Sequence, residues 1–401
     1  MHPHHERRSR ASTFDWSRAL CLALTLALAD CGGGVDSGGT GGTAASFASG
    51  PITGFGSVIV NGVHFDDSSS SVTDDTGATR SRDELRLGMS TEIRGSGITL
   101  DAAGSSVSTA SRITLGSDIL GPIERIDATS RQLVVLGQTV ETNPTTVFDE
   151  VSVSGGLSSL GVGNLVEVHA QFDVVTGHYI ATRIERRGAA AVYRLRGLVT
   201  QLDTTARAFN IGSERISYAG LSGPAPASLV NGNFVRLRLH TAKVGGVWAV
   251  AALTDGVQRP QDLDEVRLEG LISAFGSAAQ FSVNGVAVNA ANVTPPAGLA
   301  LGARVEVEGT ASGAVLVARK VEVKTQGDVT NEGFELRGAI SSVDAPNQTF
   351  SLRGETVKYA PGSTEFRNGT AAGLAPAVYV EARGILSVDG TRLLATRITF
   401  K

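Results

Sequence analysis

The residues of this 401-residue chain that could do chemistry are few: seven histidines, two cysteines and some clustered carboxylates. His2, His4 and His5 stand ahead of an apolar leader, which leaves His64, His169, His178 and His240 at dissimilar positions. No spacing among them favours a zinc site or a Ser-His-Asp arrangement, and surface or strand-edge histidine is the expectation. Asp66-Asp67 and Asp74-Asp75 supply the hard oxygen ligands that calcium takes. They lack the Asp-x-Asp-x-Asp-Gly spacing of a loop that wraps the ion, and read as a solvated loop. Glu306 and Glu308 share one side of a strand and, without a pocket, read as an outward face. Trp248, Tyr179, Tyr193 and Tyr218 are the aromatics that could stack on sugar rings. The basic run Arg183 to Arg187 is one patch in one place. No catalytic, cofactor-binding or metal-binding residue is assigned.

The elements that position these residues are organised by an internal repeat. Gly50, Gly121, Gly197, Gly270 and Gly338 open similar stretches 68 to 76 residues apart. Each opening reads as a first strand, then a turn such as Asn61-Gly62 or Asn284-Gly285, then a second strand such as Val63–Asp66 or Val286–Asn289. Asn-Gly suits a tight hairpin because both residues tolerate positive φ. Next come a leucine, a turn and an alternating strand, as in Val305-Glu306-Val307-Glu308, whose period of two puts valines on one side and carboxylates on the other. A last strand closes each copy near Ile113, Ile184, Ala252, Val321 and Ile398. Four or five short strands per copy, with Gly-rich turns and no helical period, predict an all-β chain of five tandem small antiparallel barrels, OB-like, of about seventy residues each. A five-bladed propeller is the rival, but common blades are roughly forty to fifty residues long.

Arg7, Arg8, Arg10 and Arg18 precede the apolar run Ala19 to Ala29, too short to span a bilayer and right for a signal peptide. Leu28-Ala29-Asp30-Cys31-Gly32 follows and resembles a bacterial lipobox, with Cys31 as the lipidated residue. Asp30 departs from the pattern, and Ala27-Leu28-Ala29 offers an ordinary signal-peptidase site instead. The divisions expected are a signal peptide with lipobox Cys31 (1–31), a Gly/Ser/Thr-rich tether (32–49), and barrels over 50–118, 119–190, 191–260, 261–330 and 331–401. Cys21 and Cys31 are the sole cysteines, so the part beyond Cys31 has no disulfide and no thiolate site. It carries 31 basic against 36 acidic residues, which, with sparse aromatics, argues against nucleic acid.

Gly54 to Asp66 (GFGSVIVNGVHFD) and Phe275 to Val288 (FGSAAQFSVNGVAV) resemble the bacterial domain-of-unknown-function family 5666, exported repeat proteins often with a lipoprotein leader. The resemblance is closest in the first and fourth repeats and looser in the others. It brings no cofactor and no catalytic residue to carry over, and the leader with Gly32 after Cys31 gives the expected address, the cell envelope at the outer membrane or in the periplasm. The reading is a non-enzymatic protein, membrane-anchored through its N-terminal lipid, whose barrels form a rod or curved array that binds or spaces an envelope protein. A glycan-binding module is the alternative and an enzyme the least favoured. What recurs between copies is turn glycine and core valine, with no repeated polar signature.

Overall fold

A computed structural model describes residues 45–325 and 333–401. The leader, Cys31 and most of the tether lie outside the described residues.

The chain folds into small closed β-barrels. In one, Ile119–Asp127, Gln132–Val135 and Gln138–Glu141 pair antiparallel in succession. The third of these runs parallel to the fifth, His178–Arg187, which pairs with the fourth, Leu165–Asp173. The fourth returns to the first and closes the circuit in the order 1-2-3-5-4-1. Leu263–Ser277, Gln280–Val283, Val286–Asn289, Arg304–Ser312 and Val315–Val323 close the same circuit. Elsewhere the first strand is split, as Ala45–Pro51 and Gly54–Phe55, Tyr193–Leu198 and Thr200–Asp203, or Phe334–Ala339 and Ser342–Asp344.

Two sequence expectations change. The stretch from each opening glycine to the turn is a hairpin rather than one strand. Asp127, Asp203 and Asp344 cap the extra turn by accepting backbone N–H bonds from Thr129, Thr205 and Asn347. Arg131, Arg207 and Gln348 end it at positive φ. Ala45 to Ser49, read as tether, belong to the first strand, because Phe47 and Ala48 are buried there. The Asn-Gly turns are as expected, with φ of 52° and 67° at Asn61-Gly62 and 49° and 88° at Asn284-Gly285.

A β-bulge recurs where strands four and five pair, at Arg94/Gly95, His169/Ala170, Arg238/Leu239, Glu308/Gly309 and Arg383/Gly384. It reverses the inside-outside alternation of strand five. Ala181 and Ile184 both face inward, three residues apart, as do Ala318 and Val321, and Ala395 and Ile398. Arg183, Lys320 and Arg397 are thereby thrown onto the outer face.

Neighbours in space are in part not neighbours in the chain. Ala45–Pro51 pairs in parallel with Leu263–Ser277, matching Phe47 to Val266. Phe55 pairs with Leu336 of the last repeat, and Ile119 with Leu195 of the third. The physical reason is that the first half of strand one is bonded by its own barrel on one side only. The other side supplies free N–H and C=O groups, which the same strand of another copy satisfies. Apolar clusters follow the pairing. One contains Phe55, Leu336 and Phe350 from the first and last repeats, another Tyr179 and Phe209 from the second and third, and a third unites Phe47 and Phe234 with the fourth. The first copy thus joins the fourth and the last directly, where a simple linear array would have each copy touch only its sequence neighbours.

Candidate functional site: charged faces between barrels

The polar residues that could do chemistry converge on the outer faces of these barrels, and those faces are covered. Pairing of Leu120 with Arg194 joins the second and third repeats into one sheet. Its inward side carries Ile119, Val168, Ile184, Leu195 and Leu237, all buried. Its outward side carries two charged rows. Arg238, Arg194, Leu120, Glu167 and Glu185 are successive cross-strand partners, and beside them run Arg236, Arg196, Asp118, His169 and Arg183. The first repeat lies on this side. Ser90 donates its N–H to His169 Nδ1 at 3.1 Å, and Thr182 donates its hydroxyl to Gly88 O at 2.7 Å.

Among the described residues Arg183 is the largest fully buried side chain, 1% exposed. It pairs with Glu185 on its own strand, with Asp149 at 3.0 Å, and with Glu355 of the last repeat at 3.8 Å, and it donates to Leu87 O of the first at 3.2 Å. One guanidinium therefore ties three repeats. Burial raises the Glu355 carboxyl and Arg183 opposes the rise. Glu167 is also buried, yet Arg194 and Arg187 overcome the desolvation and hold its pKa at about 2. Burial lowers the pKa of His169, which favours the neutral ring that accepts from Ser90. Arg196 donates to Gly256 O and to Asn284 O of the fourth repeat and lies 4.4 Å from the Phe234 ring centroid.

A second charged face belongs to the fourth repeat, where Arg267, Glu308 and Lys320 form one row and Glu269, Glu306 and Glu322 the next. It walls a cleft of ≈ 370 Å³ shared with the first and last repeats. Arg267 and Lys324 pair with Glu306, and Arg304 with Glu269. A cleft of ≈ 630 Å³ lies along the first sheet and is lined by Arg80, Arg86, Glu167, His169, Arg187 and Arg194 among others.

These placements revise the sequence reading. Glu306 and Glu308 are not on a simple outward face. The acidic cluster is not a solvated loop: Asp67 and Asp74 are buried. Asp74 accepts from Thr76, Ala78 and Arg80, and Asp75 pairs with Arg236 at 2.8 Å. Of the four aromatics, Trp248, Tyr179 and Tyr218 are buried, Tyr179 donating its hydroxyl to Arg196 O at 2.6 Å, while the half-buried Tyr193 packs edge-on against Trp248. In the run Arg183 to Arg187, Arg183 is a buried hub, whereas Arg186 and Arg187 are exposed. His178 is half-buried with Nδ1 at 3.3 Å from Glu141, His64 lines the smaller cleft, and His240 is exposed. Among the described residues no hydroxyl or thiol is bonded to a histidine ring, and no three His, Cys, Asp or Glu are grouped to hold a metal ion.

The comparisons with known proteins bear on the barrels themselves. Residues 121–185, 269–322 and 337–399 match a domain of unknown function, DUF5666. The chain carries a repeated DUF5666 domain. No protein of curated function matches the chain. Each DUF5666 segment falls within one closed circuit of strands, so in this chain the domain is a closed five-stranded barrel. The stretch Gly54 to Asp66, where the sequence resemblance is closest, lies outside the matched segments. There the first strand is split at Ile52-Thr53, and Ser71–Asp74 and Thr79–Arg80 are added after the third. A polar signature recurs in the DUF5666 segments after all: Ala181-Thr-Arg183-Ile, Ala318-Arg-Lys320-Val and Ala395-Thr-Arg397-Ile place a cation on each bulge. The signal was visible as a repeated basic residue before a core Ile or Val. Its meaning was hidden by the reversal of alternation at the bulge.

Proposed function

We propose that this chain is an exported bacterial envelope protein, lipid-anchored through Cys31, in which five OB-like barrels of about seventy residues act together as a non-enzymatic binding or scaffold body. The observation that carries the reading is the use of the polar side chains. Arg183, Glu167, Arg196 and Asp75 pair across repeats with Glu355, Arg194, Asp118 and Arg236 rather than gathering as a nucleophile with its base. A body held so firmly presents its loops in fixed relation, which suits holding a partner. The leader residues Leu28-Ala29-Asp30-Cys31 support export, and the outer membrane or periplasm is the proposed address.

A protein partner is favoured over a glycan because three of the four aromatics that motivated glycan stacking are buried. The loop tips also offer apolar contacts, with Val151 and Val388 93% and 94% exposed. Co-sedimentation of residues 32–401 with separated peptidoglycan, outer-membrane polysaccharide and detergent-extracted envelope proteins tests the choice. Retention with a protein fraction alone is expected; pelleting with a glycan would replace the scaffold reading with a glycan-binding one.

A further inference from the structure

We propose that Glu92 is a proton-operated latch where the first four repeats meet: protonated, it packs as a neutral group in a small cavity, and ionised, it places an unpaired charge there that weakens the junction. The strand position it occupies is repeated. Val-Glu-Val and its relatives put Glu92, Glu167, Arg236, Glu306 and Glu381 at the same place in strand four of successive repeats. Four of them have an ion partner. Glu167 is held by Arg194, Arg236 by Asp75 at 2.8 Å, Glu306 by Lys324 at 3.2 Å and Glu381 by Lys401 at 2.7 Å. Among the described residues Glu92 has neither a salt bridge nor a hydrogen bond, and its Oε2 is buried.

The surroundings explain why. Glu92 lines a cavity of ≈ 80 Å³ together with Asp75 of its own repeat, Asp118 of the second, Arg196 and Arg236 of the third and Glu269 of the fourth. The cations facing it are already engaged. Arg236 and Arg194 face Asp75, Arg196 lies 3.5 Å from Asp118, and Arg304 holds Glu269. Arg94 shares the strand of Glu92, and its ring contact is with Phe47. His169, on the neighbouring sheet, has its Nδ1 on the Ser90 amide. Glu92 is thus the carboxylate left over. Asp75 Oδ1 lines the same space without a hydrogen bond and is an acceptor of the kind a protonated carboxyl needs.

Burial pushes the Glu92 carboxyl up to about 7, against the pull of Arg236, Arg196 and Arg94. Since the folded value lies above the unfolded 4.5, the contribution of this group to stability is complete below 4.5 and is lost as pH rises through 7. A carboxyl displaced that far changes the folding equilibrium roughly 300-fold between the two limits.

The test compares the full chain with Glu92→Gln in denaturant titrations at pH 5 and pH 8. The variant is expected to unfold at higher denaturant than the parent at pH 8 and at nearly the same concentration at pH 5. An equal difference at both pH values, or a weaker variant at pH 8, overturns the latch. If the variant does not fold, a carbon-13 carboxyl titration of the parent chain decides. A Glu92 midpoint near 7 supports the proposal, and one near the unfolded 4.5 overturns it.

Discussion

Replacing Arg183 with alanine is expected to lower the stability of the chain by about 3–5 kcal/mol, the cost of leaving a buried ion network without its central partner. The guanidinium is 1% exposed and faces Asp149, Glu185 and Glu355, so its loss takes the central cation from three carboxylates, of which Glu185 alone keeps another arginine, Arg187. It also frees Leu87 O of the first repeat. The control is Arg397→Ala. Arg397 stands at the equivalent bulge of the last repeat and pairs with Glu365, but 38% of its side chain is exposed, and a pair of that kind contributes about 0–1 kcal/mol. Denaturant midpoints of the two variants measure the contrast. Equal losses would mean that the faces between barrels are wet and contribute little.

Glu167→Gln is expected to cost about 3 kcal/mol at pH 7 and little by pH 2. The Glu167 carboxyl is drawn from 4.5 to about 2 because Arg194 and Arg187 outweigh its burial. A folded value below the unfolded one gives stability that is present above 4.5 and lost as pH falls through 2. Denaturant titrations of parent and variant from pH 7 downward should therefore converge. Glu92 occupies the same position of strand four one repeat earlier and is expected to behave in the opposite sense, its penalty appearing as pH rises. The difference is the neighbouring repeat. Glu167 meets Arg194 and Arg187, whereas the arginines facing Glu92 already answer other carboxylates. A variant whose deficit persisted unchanged to low pH would show that Glu167 acts through packing rather than charge.

Much of the barrel was legible in the sequence. Glycines at a regular step mark the copies, Asn61-Gly62 and Asn284-Gly285 form the turns that their positive φ requires, and Val305 and Val307 face a core opposite Glu306 and Glu308. What alternation cannot say is whether the polar side of a strand meets water or another barrel. Glu306 and Glu308 read as an outward face, and in isolation they would be one. The fourth repeat sets them instead in a cleft with Arg267, Lys320 and Lys324. Arg183 was hidden for a second reason. The bulge between His169 and Ala170 reverses the phase of its strand, so strict alternation from Tyr179 and Ala181 would turn Arg183 inward with them. Phe47 was missed because it is a lone aromatic among small residues, and its burial depends on Val266 and its neighbours, more than two hundred residues away.

The central claim is that the barrels lock together through shared strand edges and charged faces, out of sequence order. It is tested most directly by cysteine pairing in residues 32–401, which contain no native cysteine. Ser46 and Glu265 are register partners across the parallel junction of the first and fourth repeats, and Ala45 and Ser96 are partners within the first barrel. With cysteines at 46 and 265, mild oxidation is expected to close an intramolecular disulfide as readily as cysteines at 45 and 96 do, seen as a shifted band on a non-reducing gel. If the 46–265 pair stays reduced while the 45–96 pair oxidises, the first and fourth repeats are not joined and the account fails.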